Sequence, residues 1–418
     1  NQLAIGLIIG QTVASGKDFI VHLAKTPHSD TQSNVDDEVV SELLKITDID
    51  NKQVAEHALN ALRMIVGGFN ILGLFVVSES NIFSDTSALQ KLKTVLMDIK
   101  VTLDSNGLLF ANTDALDDGN KLLLNYITGH KNFVCKTIST DPSKAPSASP
   151  VDWKFVAKAT EWFEFEAVYE VDTVFPLPHA TNHFDTEKYI METINKISED
   201  LNKSIIFFNG EPKNKEMTVD KLMAELEEAT NVKVTIYNES SKLATSENGV
   251  LKQHESMVRY TGIVDSRVYG CSRNSIAEIE SYIREDVIRS ITTRLQIYYD
   301  ALLANDDGGN DNENGQDQDV NSTIPPRRVF FPIGNGKVSF SDYLFQYENE
   351  ETTVKQSMDV LGVDLPSTEV VTTAEANVQL KHPEKSEILS NATEEFSSLA
   401  KNDTGKLILL VGIIGLVV

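Results

Sequence analysis

Two histidines four residues apart, His179 and His183 in HATNH, could share a zinc ion if they lay on one helix face. No glutamate follows the first, and Pro176 and Pro178 just upstream favour a loop. Cys271, in VYGCSRNS, precedes a segment of helical period, where the helix dipole would lower a thiol pKa. A nucleophilic cysteine also needs a positioned base. His254, the nearest in sequence, stands at the other end of the preceding strand region. GQTVASGK has the outline of a phosphate-binding loop, but five residues separate Gly10 from Gly16 where the motif needs four. Asp18 replaces the magnesium-holding Ser or Thr, and the residues that follow read as strand. The Ser-rich stretches at 78–80 and 239–241 lack the glycines of a nucleophile elbow. A hydrolase using Cys271 or a His179/His183 metal site is therefore a rival reading, and no strong catalytic constellation supports it.

The elements that would position these residues follow from periodicity. LAIGLIIGQ and FIVHLAK read as a hairpin. NKQVAEHALNALRMI and TSALQKLKTVLMDIKVTL carry apolar residues at helical spacing and flank the buried strand of VGGFNILGLFVVS. KLLLNYITG and NFVCKTIS form a strand pair. WFEFEAVYEVDTVF alternates apolar and mainly acidic residues, a strand expected to complete this first sheet. A second unit then alternates helix and strand, and ends in the longest helix. Ser275-Ile276-Ala277-Glu278 is a capping box at its start. Ile276, Ile279, Ile283, Val287, Ile291, Leu295, Tyr298 and Leu302 make its apolar stripe. Gly334-Asn335-Gly336 turns a last hairpin, and TTVKQSMDVLGV reads as a short helix.

The chain has 418 residues, enough for two or three domains, and 41 % hydrophobic content, enough for folded cores. A net charge of −25 argues against nucleic acid, whose binders need a basic face, and against docking on an anionic lipid surface. Two distant cysteines, Cys135 and Cys271, fit a reducing compartment. No cofactor is expected.

The end of the sequence is a different solvent problem. Leu407, Ile408, Leu409, Leu410, Val411, Gly412, Ile413, Ile414, Gly415, Leu416, Val417 and Val418 contain no polar side chain. As a helix they reach only about 18 Å, against the ~30 Å of a hydrocarbon core. They are read as the start of a transmembrane helix cut short at its C-terminal end, with Lys401 and Lys406 on the cytosolic side.

GLIIGQ with DFIVHLAKTP, then GGFNILGLFVVS, VDWK, EDVIRSITTRLQIYYDALL, RRVFFPI and the terminal apolar run resemble, in this order, the odorant-response-abnormal protein 4 family. The resemblance covers nearly the whole chain. It implies an α+β or α/β fold whose first domain, 1–180, is MPN-like, the fold of JAMM metalloproteases. A second α/β domain at 185–305 is expected next, then an acidic linker at 306–326. A strand hairpin and short helix at 327–362 return to the folded part. A flexible acidic tether at 363–406 and the membrane segment at 407–418 complete the expected order. The tether, roughly 40 residues, would reach about 35 Å as a coil.

The resemblance also implies a role. Such proteins are membrane-anchored adaptors of the endoplasmic reticulum, with the bulk of the chain in the cytosol. They partner a cysteine protease specific for the ubiquitin-fold modifier, and their clients are odorant-type G-protein-coupled receptors that they help to mature and traffic. An active JAMM site needs His-x-His on a strand, then Ser and Asp. If GLFVVS is that strand, the histidine positions fall at Val76 and Ser78 and the others at Thr86 and Leu89. Valine and leucine cannot bind zinc. The expectation is a zinc-less scaffold that is not an enzyme.

Overall fold

Apolar runs bounded by Gly and polar turns give the first sheet its order. The computed structural model describes residues 3–14, 17–27, 45–107, 119–156, 160–177, 183–226, 231–238, 256–307, 324–334 and 336–375. β1 (Ala4–Gln11) pairs antiparallel with β2 (Phe19–Lys25) and with β3 (Asn70–Ser78). β3 runs parallel to β4 (Asn120–Ile127), which turns into β5 (Asn132–Ser139), and β6 (Ala148–Pro150) closes the edge. The order is β2-β1-β3-β4-β5-β6. α1 (Asn51–Met64) and α2 (Thr86–Ser105) cover one face, and their buried Val54, Ala58, Leu62, Leu92, Leu96 and Ile99 meet Ile5, Leu7, Leu74 and Val76 of the sheet. Both helices start on aspartate caps, Asp50 and Asp85, whose side chains accept first-turn backbone N–H groups.

The acidic alternating strand does not complete this sheet. β7 (Trp162–Leu177) pairs along its whole length with β10 (Ser256–Cys271), in the second sheet, ordered β10-β7-β9-β8. β8 (Ile205–Phe208) and β9 (Asn231–Tyr237) make the rest. The first sheet therefore ends before Trp162, not at residue 180. The reason is register: Phe165, Ala167, Tyr169 and Val171 turn inward onto α3 (His183–Lys203), α4 (Val219–Glu225) and α5 (Ile276–Asp307).

The long helix α5 is where the two units meet. Its stripe from Ile276 to Leu295 packs on the second sheet. Its other side is buried too, and is polar. Asp286, Arg289, Ser290, Thr292 and Thr293 are all buried. Asp286 Oδ1 accepts from the Gly67 N–H at 2.8 Å, and Arg289 Nη1 donates to Ile65 O at 3.2 Å, both on the segment entering β3. Gly67 and Gly68 allow this approach, because a side chain on either would collide with β10 or α5.

The last hairpin, β11 (Arg327–Ile333) and β12 (Val338–Leu344), joins the first unit's core through Val329, Phe330, Phe331 and Phe340. Arg328, fully buried, meets Asp286 with two bonds, Nη1 to Oδ2 at 2.7 Å and Nη2 to Oδ1 at 2.9 Å. α6 (Glu350–Gln356) follows the hairpin.

The expected tether at 363–406 begins too early. Leu365 and Val370 are core residues, and Val371 pairs with Phe330 by backbone bonds at 3.1 and 2.7 Å. Glu375 ion-pairs with Arg294 and accepts from the backbone N–H groups of Asp265 (2.9 Å) and Arg328 (2.7 Å). Residues 363–375 are thus a packed strap. Of the acidic linker expected at 306–326, residues 306 and 307 belong to α5 and 308–323 lie outside the described residues, as do the rest of the tether and the membrane segment at 407–418. Among the described residues no helix is long and apolar enough to cross a membrane.

Two stability outcomes follow. Asp286→Ala strands a buried guanidinium and is expected to lower the unfolding free energy by about 3–5 kcal/mol. Glu56→Ala, which breaks only the exposed Lys52–Glu56 pair, shifts it by about 0.5 kcal/mol or less. Urea titrations of both variants measure the contrast, and equal midpoints would exclude the role given to Asp286.

Burial pushes the Asp342 carboxyl up to about 7. A carboxyl raised in the folded state binds protons on folding. Its stability contribution is present at low pH and is lost as pH rises from its ordinary value near 4 through about 7. Asp342→Asn should then gain on the wild type as pH rises from 5 to 8, on the order of 2 kcal/mol, in unfolding curves at the two pH values.

Candidate functional site

The four positions implied for a JAMM-type centre fall at the end of β3 and the start of α2. Val76 is wholly inside the first core, and Leu89 packs in the same core. Thr86 is exposed on the first turn of α2. Ser78 is buried and belongs to an amide network. Its Oγ donates to Ser80 O at 2.8 Å and accepts from Asn125 Nδ2 at 2.7 Å. Asn125, fully buried on β4, also donates to Val76 O at 3.1 Å, and its Oδ1 accepts from the Ile82 N–H at 3.2 Å. The network ties β3, β4 and the segment leading to α2 together without a charge.

A cavity of about 320 Å³ opens beside this network, lined in part by Lys45, Thr47, Ser78, Glu79, Asp85 and Ser87. Its acidic groups are Glu79 and Asp85, and the Asp85 carboxylate is occupied. Its Oδ1 accepts from Ser87 Oγ (2.7 Å), Ser87 N–H (2.8 Å) and Ala88 N–H (3.3 Å). The Ser87 hydroxyl and these amides hold the carboxyl below its usual range. Among the described residues no cluster of three His, Cys, Asp or Glu could hold a metal ion. The cavity can bind a polar group, but its lining supplies no ligand set for zinc and no imidazole.

The other sequence candidates are scattered. His179 and His254 lie outside the described residues, and His183 opens α3. Of the segment from Gly10 to Lys17, Gly10 and Gln11 end β1, Thr12 to Ala14 follow it, and Ser15 and Gly16 lie outside the described residues. Gln11 there donates to Gly68 O (2.9 Å) and Tyr269 O (2.8 Å), a structural clasp. Cys271 ends β10 and is fully buried. Its backbone N–H donates to Asn274 Oδ1 at 2.8 Å. The capping box is present, with the Glu278 N–H donating to Ser275 Oγ and the Ser275 N–H to Glu278 Oε2. The expected depression of the thiol pKa by the helix start is not seen, because burial outweighs it and pushes the thiol up. His22 and His57 face the carbonyls of Leu361 and Val360, far along the chain from Cys271.

Sequence reading missed two groups. One is the buried set Asp286, Arg328, Arg294 and Glu375, signalled only by charges set among the apolar positions of α5 and by Arg328 sharing a strand face with Phe330. The other is an aromatic cluster around Trp153, whose rings stand at period two in VDWKFV.

The model of the odorant response abnormal 4-like family matches residues 6–372. The protein odr-4 homolog of Drosophila melanogaster is 26 % identical over 466 residues, covering 99 % of this chain and 92 % of that protein. The Xenopus laevis protein odr-4 homolog is 25 % identical, covering 91 % and 83 %. The human one is 21 % identical, covering 85 % and 77 %. Among solved structures, UfSP from C. elegans aligns with a TM-score of 0.43 at 8 % identity, over 86 % of this chain and 53 % of that one. This chain thus spans about half of that structure's length.

The buried Cys271 thiol predicts slow chemistry. Labelling by a maleimide at pH 7 should be at least about 100-fold slower in the native chain than in urea. Rapid native labelling at Cys271, read by peptide mass spectrometry, would revive the hydrolase reading.

Proposed function

The chain belongs to the odorant response abnormal 4-like family, and from this premise we propose that it is a non-catalytic, membrane-anchored adaptor. Its first unit is read as an MPN-like domain that has exchanged zinc ligation for packing. The observation that carries this is the pair Val76 and Leu89, whose side chains fill the first core at positions where the active relatives of that fold need ligands. A histidine at Val76 would put an imidazole into a core with no partner for it.

The adaptor holds a cysteine protease specific for the ubiquitin-fold modifier at the endoplasmic reticulum, and assists odorant-type G-protein-coupled receptors in maturation and trafficking. The apolar run from Leu407 to Val418 is the anchor. The bulk of the chain faces the cytosol. The packed strap at 363–375 supports this reading, because it holds the segment that precedes that run in sequence to the folded body.

Affinity purification of the full chain from detergent-solubilised cells, followed by mass spectrometry, tests the proposal. The expected result is a modifier-specific cysteine protease at near one-to-one stoichiometry, in the endoplasmic reticulum fraction. A chain that purifies without it, or from another membrane, would overturn the assignment.

A further inference from the structure

The Glu375 carboxylate sits in a built receptor. Oε1 meets the Arg294 guanidinium of α5 and accepts from the Asp265 N–H of β10 at 2.9 Å, and Oε2 accepts from the Arg328 N–H of β11 at 2.7 Å. The Glu375 and Arg294 side chains are both buried. Asp265 and Arg294 belong to the second unit, and Arg328 to the hairpin that joins the first unit's core. One carboxylate therefore spans the junction. The strap's other anchors lie on the first unit, with Leu365 and Val370 in its core and Val371 bonded to Phe330.

The contact that the strap closes is polar. Arg328 on β11 turns toward α5, and Tyr343 stands directly across the ladder from it, as Ser341 does from Phe330. The Arg294 guanidinium lies 5.8 Å from the Tyr343 ring centroid, and that of Arg267 on β10 lies 4.0 Å from the Phe330 centroid. Ser341 Oγ, Tyr343 OH, Thr293 Oγ1 and the Nε atoms of Arg267, Arg294 and Arg328 are buried with no hydrogen-bond partner among the described residues. Such groups are costly while the contact is closed, and water would meet them if it opened. Polar contacts between units permit relative motion where large apolar ones do not. The strap is also lightly held. Of its apolar residues only Leu365 and Val370 are buried, and Pro366 to Glu369 are exposed. Segments with few buried apolar contacts are the ones that open locally.

Withdrawing the Glu375 carboxylate leaves Arg294 a buried cation. Its remaining bonds, to Ser290 Oγ at 3.0 Å and Ile263 O at 3.3 Å, do not neutralise it. A buried charge without its partner is strongly destabilising and draws in water. We propose that residues 363–375 are a latch: with Glu375 seated, the β11–β12 hairpin is closed on α5 and β10, and release of the strap opens that contact. Strap and junction are one two-state element, so a ligand that binds the released strap better than the seated one shifts the placement of the two units. The latch requires nothing of the adaptor reading.

Hydrogen exchange of the full chain, read by peptide mass spectrometry, tests the latch. Ser339 on β12 is the distant reporter, because its N–H donates to Tyr269 OH of β10 across the same contact at 3.2 Å, away from Glu375. In the wild type the segments around Val371, Arg328 and Ser339 should open together, with protection factors within about threefold of one another and at least about tenfold below those of β4. Glu375→Ala should speed exchange in all three by at least about tenfold and leave Leu122 to Leu124 of β4 unchanged. Glu375→Gln, which keeps the size and removes the charge, should do the same to a smaller extent. Arg294→Met should open the same segments, and joining it to Glu375→Ala should open them no further. Fast exchange confined to Val371 and Arg328 would make the strap a tie and not a latch. Acceleration that includes β4 would be general unfolding. Either result overturns the proposal, and so does a wild-type chain whose Ser339 segment stays closed while its strap opens.

Discussion

One buried ion pair fixes how the two units meet. Asp286 and Arg328 are both fully buried and doubly bonded. Removing two charges from water costs several kcal/mol for each, and their attraction offsets this only if every remaining lone pair is also used. The structure comes close to that condition, leaving only Arg328 Nε of the pair buried without a hydrogen bond. Asp286 also accepts from Ser266 Oγ at 2.8 Å and from the Gly67 N–H, and Arg328 Nη1 also donates to Asp265 O. The pair therefore touches α5, β10, β11 and the entry to β3. An apolar pair of the same volume could hold these elements together, but it would not fix their register, whereas a displaced guanidinium would lose bonds on several elements at once. A second pair, Arg294 with Glu375, extends the same logic to the strap.

Much of this fold is legible in the sequence because it is local. The β1–β2 hairpin, α1, α2, the β4–β5 pair and the capping box of α5 each follow from period and end signals within one segment. The misplacement of β7 has a definite cause. Period two says that Phe165 and Glu164 point to opposite faces, but it does not say which strand lies alongside. β10 is the same length and lies about a hundred residues later, and it takes β7 along its whole length. Nothing between residues 162 and 177 encodes that partner. The strap departs from its expected disorder for a related reason. Its composition from Asp364 onward is polar, and its attachment depends on a few residues, Leu365, Val370 and Glu375, whose receiving surfaces come from the rest of the chain.

The sites divide in the same way. The residue types at Val76 and Leu89 exclude zinc ligation from the sequence alone, since that conclusion needs only donor chemistry. What fills the position instead is a matter of three dimensions. Asn125, on the neighbouring strand, bridges Val76 and Ser78, so an uncharged amide does the holding. Cys271 shows the opposite failure. Its place before a helix is evident from the sequence, but the sign of its pKa shift depends on burial, and burial prevails over the helix start.

Buried and exposed features divide the described part of the chain. Its rigidity lies inside: the ion pairs, the Gln11 clasp and the Asn125 network are all buried or nearly so and join distant segments. Its exposed apolar surface lies outside, where the aromatic cluster meets water on a sheet face that none of the described helices covers. The rings there rest on one another and on the sheet, so their arrangement requires the sheet beneath to keep its shape. The first sheet keeps it because β3 enters through Gly67 and Gly68, whose backbone is bound to Asp286 and Gln11. The surface chemistry of the first unit is in this way conditional on charges buried at its junction with the second.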